Sequence, residues 1–118
     1  MANKTYKPLL IDSIEAQADL TEKTFVGFDG NVCGANEKAY GVVDVATEAG
    51  QPAPVGVLGT FLVIAGGAIT QGTAITSDAN GKAVAIAADD DLTPDIINGY
   101  ALDSATEAGE EIRIVRGV

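Results

Sequence analysis

The chain has 118 residues, which suits one domain with a real core but is too short to divide comfortably into two. Its 17 acidic residues outnumber 7 basic ones, and the net charge of −10 predicts neither a nucleic-acid partner nor a membrane partner, since both surfaces are anionic. With no His and a single Cys, the sequence also excludes an intrachain disulfide, His-dependent catalysis and metal sites built from Cys or His clusters.

The composition favours short strands over long helices. Apolar residues make up 47% of the chain, but only 5% of all residues are aromatic. The 14 glycines are about twice the average usage, which is typical of a chain with many tight turns. No apolar stretch at the N-terminus has signal-peptide length, so we expect synthesis in the cytoplasm.

The N-terminus is interpreted as an extended arm over residues 1–10, followed by a single β domain over residues 11–118. The arm is polar and carries a proline that favours extended backbone before it, although a frayed terminus would have the same composition. Apolar and polar residues alternate over 10–20, which predicts a half-buried strand. Some of the same apolar positions would also fit one face of a helix.

Two turn signals divide the next part of the chain. Residues 24–28 are β-branched and aromatic and are followed by Asp29-Gly30, which predicts a hairpin returning through Cys33. We expect Cys33 to be buried as a small apolar residue. An apolar run over 40–45 follows, and the two prolines within 51–54 predict an edge or a connecting loop.

The continuous apolar run over 60–65 is the predicted centre of the core, because its length suits a buried strand. Short strands and reversals are expected over 68–87, and the polar segment 89–94 then interrupts the pattern. Residues 96–102 and 111–115 are predicted to form a closing hairpin.

One internal similarity joins two distant parts of the chain. Residues 41–50 (GVVDVATEAG) resemble residues 100–109 (YALDSATEAG), and each copy ends an apolar strand and turns. Two copies are too few for a solenoid, but they fit two similar β elements in one domain. A chance match between short turn motifs is the alternative.

The residues supply no recognisable catalytic or cofactor-binding machinery, so we expect neither an enzyme nor a cofactor. Nucleophile and phosphate-loop motifs are absent. A carboxylate pair such as Asp44 and Asp103 could in principle serve a small hydrolase, and Asp89, Asp90 and Asp91 could in principle gather a hard cation. Because the spacing of a calcium loop is missing, a solvated loop is favoured and no metal site is predicted.

Three segments together resemble the capsid cement or head decoration proteins of tailed bacteriophages. These segments are 19–30 (DLTEKTFVGFDG), 68–83 (AITQGTAITSDANGKA) and 99–114 (GYALDSATEAGEEIRI), and they span most of the chain. The resemblance implies an all-β, single-domain β-sandwich or β-barrel-like (β-tulip-type) fold. It also implies a structural protein, made in the host cytoplasm and often assembled as a homotrimer, without catalysis or cofactor. Such a protein stabilises contacts between major capsid subunits on the outer surface of the virion.

On this resemblance, the N-terminal arm is predicted to lie along the major capsid protein. Lys4 and Lys7 are expected to meet acidic groups, and Tyr6 and Leu9 are expected to supply apolar anchors. Two other functions stay open at this point. A receptor- or carbohydrate-binding module of a fibre or spike would need an aromatic platform, which widely spaced tyrosines do not indicate, and a generic oligomeric scaffold would need no virion.

Overall fold

A computed structural model describes residues 7–86 and 96–117 and contains eight strands and no helix within them. The strands are β1 Lys7–Glu15, β2 Phe25–Val26, β3 Gly41–Val43, β4 Pro52–Ile64, β5 Ala74–Ser77, β6 Ala83–Ala85, β7 Gly99–Ala101 and β8 Glu111–Arg116. The predicted all-β fold is therefore confirmed. The predicted polar interruption at 89–94 lies outside the described residues.

All strands belong to one antiparallel sheet that is nearly closed into a barrel. The strand order is β2-β3-β4-β8-β7-β5-β6, and β1 joins β4 outside this path. A bridge between Ala65 and Ala83 ties the end of β4 to the start of β6. The predicted closing hairpin is present as the pair β7 and β8.

Strand β4 organises the barrel because it has partners on both edges. Gly56 pairs with Ile11 on one side and with Val42 on the other, whereas Thr60 pairs with Lys7 and with Val115. Since β1 pairs with residues 52–60 along one edge, β3 at residues 55–56 and β8 at residues 59–64 follow one another along the opposite edge. The first part of β4 thus serves one half of the sheet and its second part serves the other.

The two prolines lie within β4, so the predicted connecting loop at 51–54 is wrong. The alternative of an edge agrees with the register, because β1 pairs with both prolines and β3 pairs with β4 only at Val55 and Gly56. Pro54 pairs with Ser13 in the register of β1 and β4. It lacks an N–H, but its carbonyl accepts a hydrogen bond from the backbone N–H of Asp44 at 3.0 Å. A proline is tolerated at this position because the strand loses one N–H donor, whereas the proline carbonyl still accepts a hydrogen bond.

The core lies where β4 and β8 face the rest of the barrel. Phe61 and Val63 on β4 alternate with half-buried neighbours, and they pack in one cluster with Ile112 and Ile114 of β8. The run over 60–65 therefore lies at the centre of the core, as predicted. Its side chains alternate between buried and half-buried and are not all buried. Cys33 is fully buried, as expected, and its thiol donates to the carbonyl of Glu37 at 3.3 Å.

The internal similarity corresponds to two halves with the same connectivity. In the first half β4 pairs with β1 and β3, and β3 pairs with β2. In the second half β8 pairs with β4 and β7, and β7 pairs with β5, while β6 is an addition without a counterpart. The repeated segments end alike, since Gly50 donates to the carbonyl of Ala16 at 2.7 Å and Gly109 to that of Ala65 at 2.8 Å. Because these contacts occupy equivalent places, the two segments are equivalent β elements.

The predicted half-buried strand over 10–20 differs from the observed one in extent and burial. β1 starts at Lys7, inside the predicted arm, and ends at Glu15. Eight of its nine residues are exposed and only Ile14 is half-buried. The alternation indicated a strand correctly, but β1 lies beside β4 at the margin of the sheet, where little covers either face.

Candidate functional site

Strand β1 exposes three consecutive large apolar side chains. Leu9 is 84% exposed, Leu10 46% and Ile11 44%. Contiguous exposed apolar groups on a folded domain mark surfaces that contact another molecule. We refer to residues Lys7, Leu9, Leu10 and Ile11 as the β1 surface.

A β-bulge turns Leu9 outward. Pro8 pairs with Gly59 and Leu10 pairs with Leu58, so Leu9 is the extra residue between two consecutive pairs. Such an insertion disrupts the ladder locally and redirects a side chain. The bulge therefore explains why the most exposed large apolar side chain of the described residues lies here.

Gly59 makes this bulge possible. Its φ of +121° lies in a region that favours glycine, and a Cβ at this position would lie 2.5 Å from the carbonyl oxygen of Lys7 and 2.7 Å from the nitrogen of Leu9. Because both neighbours are backbone atoms, they cannot move aside like a flexible side chain. The start of β1 thus packs directly on a glycine of β4.

The structure places two of the four predicted capsid-contact residues. Lys7 and Leu9 are both exposed and stand two positions apart at the start of β1. Lys4 and Tyr6 lie outside the described residues. Leu10 and Ile11 were missed as surface candidates, since alternation alone assigned them to a half-buried strand.

The start of β1 also carries features that discourage another strand from adding to its edge. A lysine, a proline without an N–H and a bulge occur at three consecutive positions, 7–9. Each of these blunts an exposed sheet edge in natural proteins. Contacts at this end are therefore expected to use side chains, Leu9 foremost, more than backbone pairing.

A groove of about 360 Å³ lies beside the β1 surface and is lined by aromatic and apolar side chains. Phe28 is 68% exposed at its rim, and its ring centroid lies 5.3 Å from that of Tyr40. Tyr100 and Leu58 also line it. The sequence did not indicate this aromatic cluster, because its residues are distant in the chain and converge only in the fold.

Arg116 is buried at this groove and ties its walls together. Its guanidinium donates to the carbonyls of Val57 at 2.9 Å, Asn98 at 2.8 Å, Ala39 at 3.1 Å and Tyr40 at 3.2 Å. Burial lowers the pKa of Arg116, since desolvation penalises the charged form. Four backbone acceptors from three separate segments compensate for this cost and hold the groove in shape.

A hydrogen bond connects the groove to β1. The Tyr40 hydroxyl donates to the Asp12 carboxylate. This bond lowers the pKa of Asp12, and the same interaction raises the pKa of Tyr40. Strand β1 and the groove are therefore joined by a polar contact as well as by the pairing of Leu10 with Leu58.

The two acidic residues considered for chemistry lie in different surroundings. Asp103 binds Arg113 through two side-chain contacts of 2.9 Å and 3.1 Å, and it also accepts the backbone N–H of Arg113 at 2.9 Å. Asp44 lines a small hollow that also contains Lys23. Over residues 7–86 and 96–117, no three Cys, His, Asp or Glu side chains gather as metal ligands, and residues 89–91 are outside these ranges.

The described ranges contain no helix that is long and apolar enough to cross a membrane.

Comparison with known proteins identifies the family. No protein with a curated description matches the chain significantly. The chain is similar in structure to the head fiber gp8.5 N base in bacteriophage phi29, with a TM-score of 0.70 and 21% sequence identity. The superposition covers 92% of this chain and 93% of that one, which shows a shared fold. The family described as phage cement protein matches residues 7–116, which is nearly the whole chain. The chain therefore belongs to the phage cement protein family and is a structural protein of the virion that stabilises the capsid.

Proposed function

We propose that the protein sits on the outer surface of the capsid, where major capsid subunits meet, and that the β1 surface together with residues 1–6 makes the contact. The observation that carries the proposal is the bulge at Leu9. It holds an 84% exposed leucine beside Lys7 on a strand fixed to β4. An apolar anchor next to a cation suits a partner surface with a small pocket and an acidic rim.

The rest of the molecule suits an outward-facing position. Seventeen acidic residues keep the chain soluble and limit contacts with other anionic surfaces. A subunit bound across two capsid proteins adds a binding free energy that must be lost before they separate. Because many such bridges act on one shell, modest individual affinities are sufficient. We further propose that the copies assemble as a homotrimer, which would let three arms reach neighbouring capsid subunits at once.

Binding to heads that lack the protein tests this proposal. We expect purified protein to bind such heads saturably, in a fixed ratio to the major capsid protein, and to raise their melting temperature. Leu9→Asp should weaken this binding at least about tenfold, because an anchor residue is replaced by a charge. Deletion of residues 1–6 should also weaken it.

The matched control is Val32→Ser, which changes an exposed apolar residue outside the β1 surface and the groove. Its binding should equal that of the wild type, and circular dichroism should show the same fold for every variant. Failure of the wild-type protein to bind heads would contradict the outer-surface position. Binding that is unchanged in Leu9→Asp and in the deletion variant would exclude the β1 surface as the contact.

A further inference from the structure

The groove differs from the chain as a whole in the charged residues that line it. Its lining residues include Lys38 and Arg116 but no Asp or Glu, although the chain carries a net charge of −10. Phe28 is 68% exposed there, and Leu58 and Ile97 are each 40% exposed. An apolar groove whose lining includes two cationic residues and no acidic one fits a partner that brings an apolar side chain flanked by negative charge.

The chain itself presents a surface of that kind. Outside the β1 surface and the groove, Val45 is the most exposed large apolar residue among those described, at 54%. Asp44 precedes it and Glu48 follows three residues later, both in the loop between β3 and β4. We call residues 44–48 the Val45 loop.

The groove and the Val45 loop lie at opposite ends of strand β3. Tyr40, which lines the groove, comes directly before β3, and Val45 follows after its end. Extended chain rises about 3.3 Å per residue, so the three residues of β3 alone separate them by roughly 10 Å. Because the two surfaces lie at opposite ends of a strand, each can be engaged by a different neighbouring copy.

A ring of three copies requires this kind of arrangement. A threefold assembly cannot be built from one self-complementary patch, because each copy must offer two different surfaces that fit each other head to tail. We infer that the groove of one copy receives the Val45 loop of the next, with Lys38 facing the carboxylates of Asp44 and Glu48. This inference rests on the homotrimer proposed above and identifies the surfaces that form it.

A saccharide is the other ligand that an aromatic groove could accept, but two of the polar side chains that would bind its hydroxyls, Asn98 and Arg116, are already engaged. The Asn98 amide accepts from the N–H of Ala39 at 2.9 Å and donates to the carbonyl of Glu37 at 2.8 Å. The guanidinium of Arg116 is bonded to backbone carbonyls. An apolar side chain of a second copy needs none of these groups.

Sedimentation velocity on the full chain tests the contact from both sides. Phe28→Asp disables the groove and Val45→Asp disables the loop, and each substitution changes an exposed side chain outside the core. We expect a trimer for the wild type and a monomer for each variant at the same concentration, with association weakened at least about tenfold. An equimolar mixture of the two variants should form a 1:1 dimer, because one variant keeps an intact groove and the other keeps an intact loop.

The control variant is Leu9→Asp, which should remain trimeric while losing its affinity for heads. A trimeric Leu9→Asp protein that does not bind heads would separate self-assembly from capsid binding, so failure of one proposal does not imply failure of the other. The inference is overturned by a monomeric wild type, by trimers that survive both groove and loop variants, or by a mixture that stays monomeric. It is also overturned if a glycan array shows a saccharide that Phe28→Asp no longer binds and the wild type is monomeric.

Discussion

The two halves of the barrel place equivalent strands in different surroundings. β1 in the first half corresponds to the second part of β4 in the other half, since each leads into a turn closed by the same glycine contact. Phe61 and Val63 on β4 are buried, whereas β1 is exposed along almost its whole length. Strand β1 thus carries apolar residues without a covering layer, and it lies at the margin of the sheet, where a partner can reach it.

The largest expected effect comes from replacing an isoleucine by alanine, once in the buried core and once on the exposed strand β1. Ile112→Ala should lower the free energy of unfolding by about 2–5 kcal/mol, because Ile112 is fully buried in the core cluster and its loss leaves a cavity. Ile11→Ala, on β1 and 44% exposed, should lower it by less than about 1 kcal/mol. Urea denaturation monitored by circular dichroism measures both. Equal losses would contradict the contrast between the two strands.

The second test targets the attachment of β1. Gly59→Ala should destabilise the fold by about 1–3 kcal/mol, because its Cβ would collide with the backbone of Lys7 and Leu9. Amide hydrogen exchange should rise most at the start of β1. Gly72→Ala is the matched control, since Gly72 also has a positive φ of +87° but open space around its Cβ. If the two variants change exchange at β1 equally, crowding at Gly59 does not hold the bulge.

The smallest expected effect concerns the contact between β1 and the groove. The pKa of Asp12 is lowered by the Tyr40 hydroxyl, so the contact contributes stability above the ordinary value of 3.8 and loses it as the pH falls through the lowered value. Asp12→Asn should melt slightly below the wild type at neutral pH, and the difference should vanish in acid.

Tyr40→Phe serves as the partner variant in a double-mutant cycle, because it removes the hydroxyl and keeps the ring. Combined with Asp12→Asn it should cost no more than either change alone. A difference in melting temperature that persists unchanged at pH 2 would show that Asp12 acts in some other way.

The sequence predicted the fold class well because turn chemistry and alternation are local properties. Asp29-Gly30 indicated the reversal that brings Val32 opposite Val26 in an antiparallel bridge. The run over 60–65 indicated the strand at the centre of the core. The repeated ATEAG segments indicated two equivalent β elements. Each of these signals depends on neighbours in the chain, which a single sequence displays directly.

The errors arose where the outcome depends on distant partners. Pro52 and Pro54 indicated an edge or a loop, yet β4 continues through them because β1 pairs with both prolines. Alternation in β1 indicated half-burial, but burial depends on what covers a strand. The groove could not be predicted, since Phe28, Tyr40 and Tyr100 converge only after the barrel has formed.

The shared strand β4 has a mechanical consequence. A pull applied at Lys7 along the axis of β1 loads the pairs between β1 and β4, from Lys7 with Thr60 to Glu15 with Pro52, in parallel and not one after another. Through β4 the load passes to β8, whose pairs with β4 run from Gly59 to Ile64 on the opposite edge. Tension on the N-terminus is therefore carried as shear across three aligned strands, the geometry in which a sheet resists separation best.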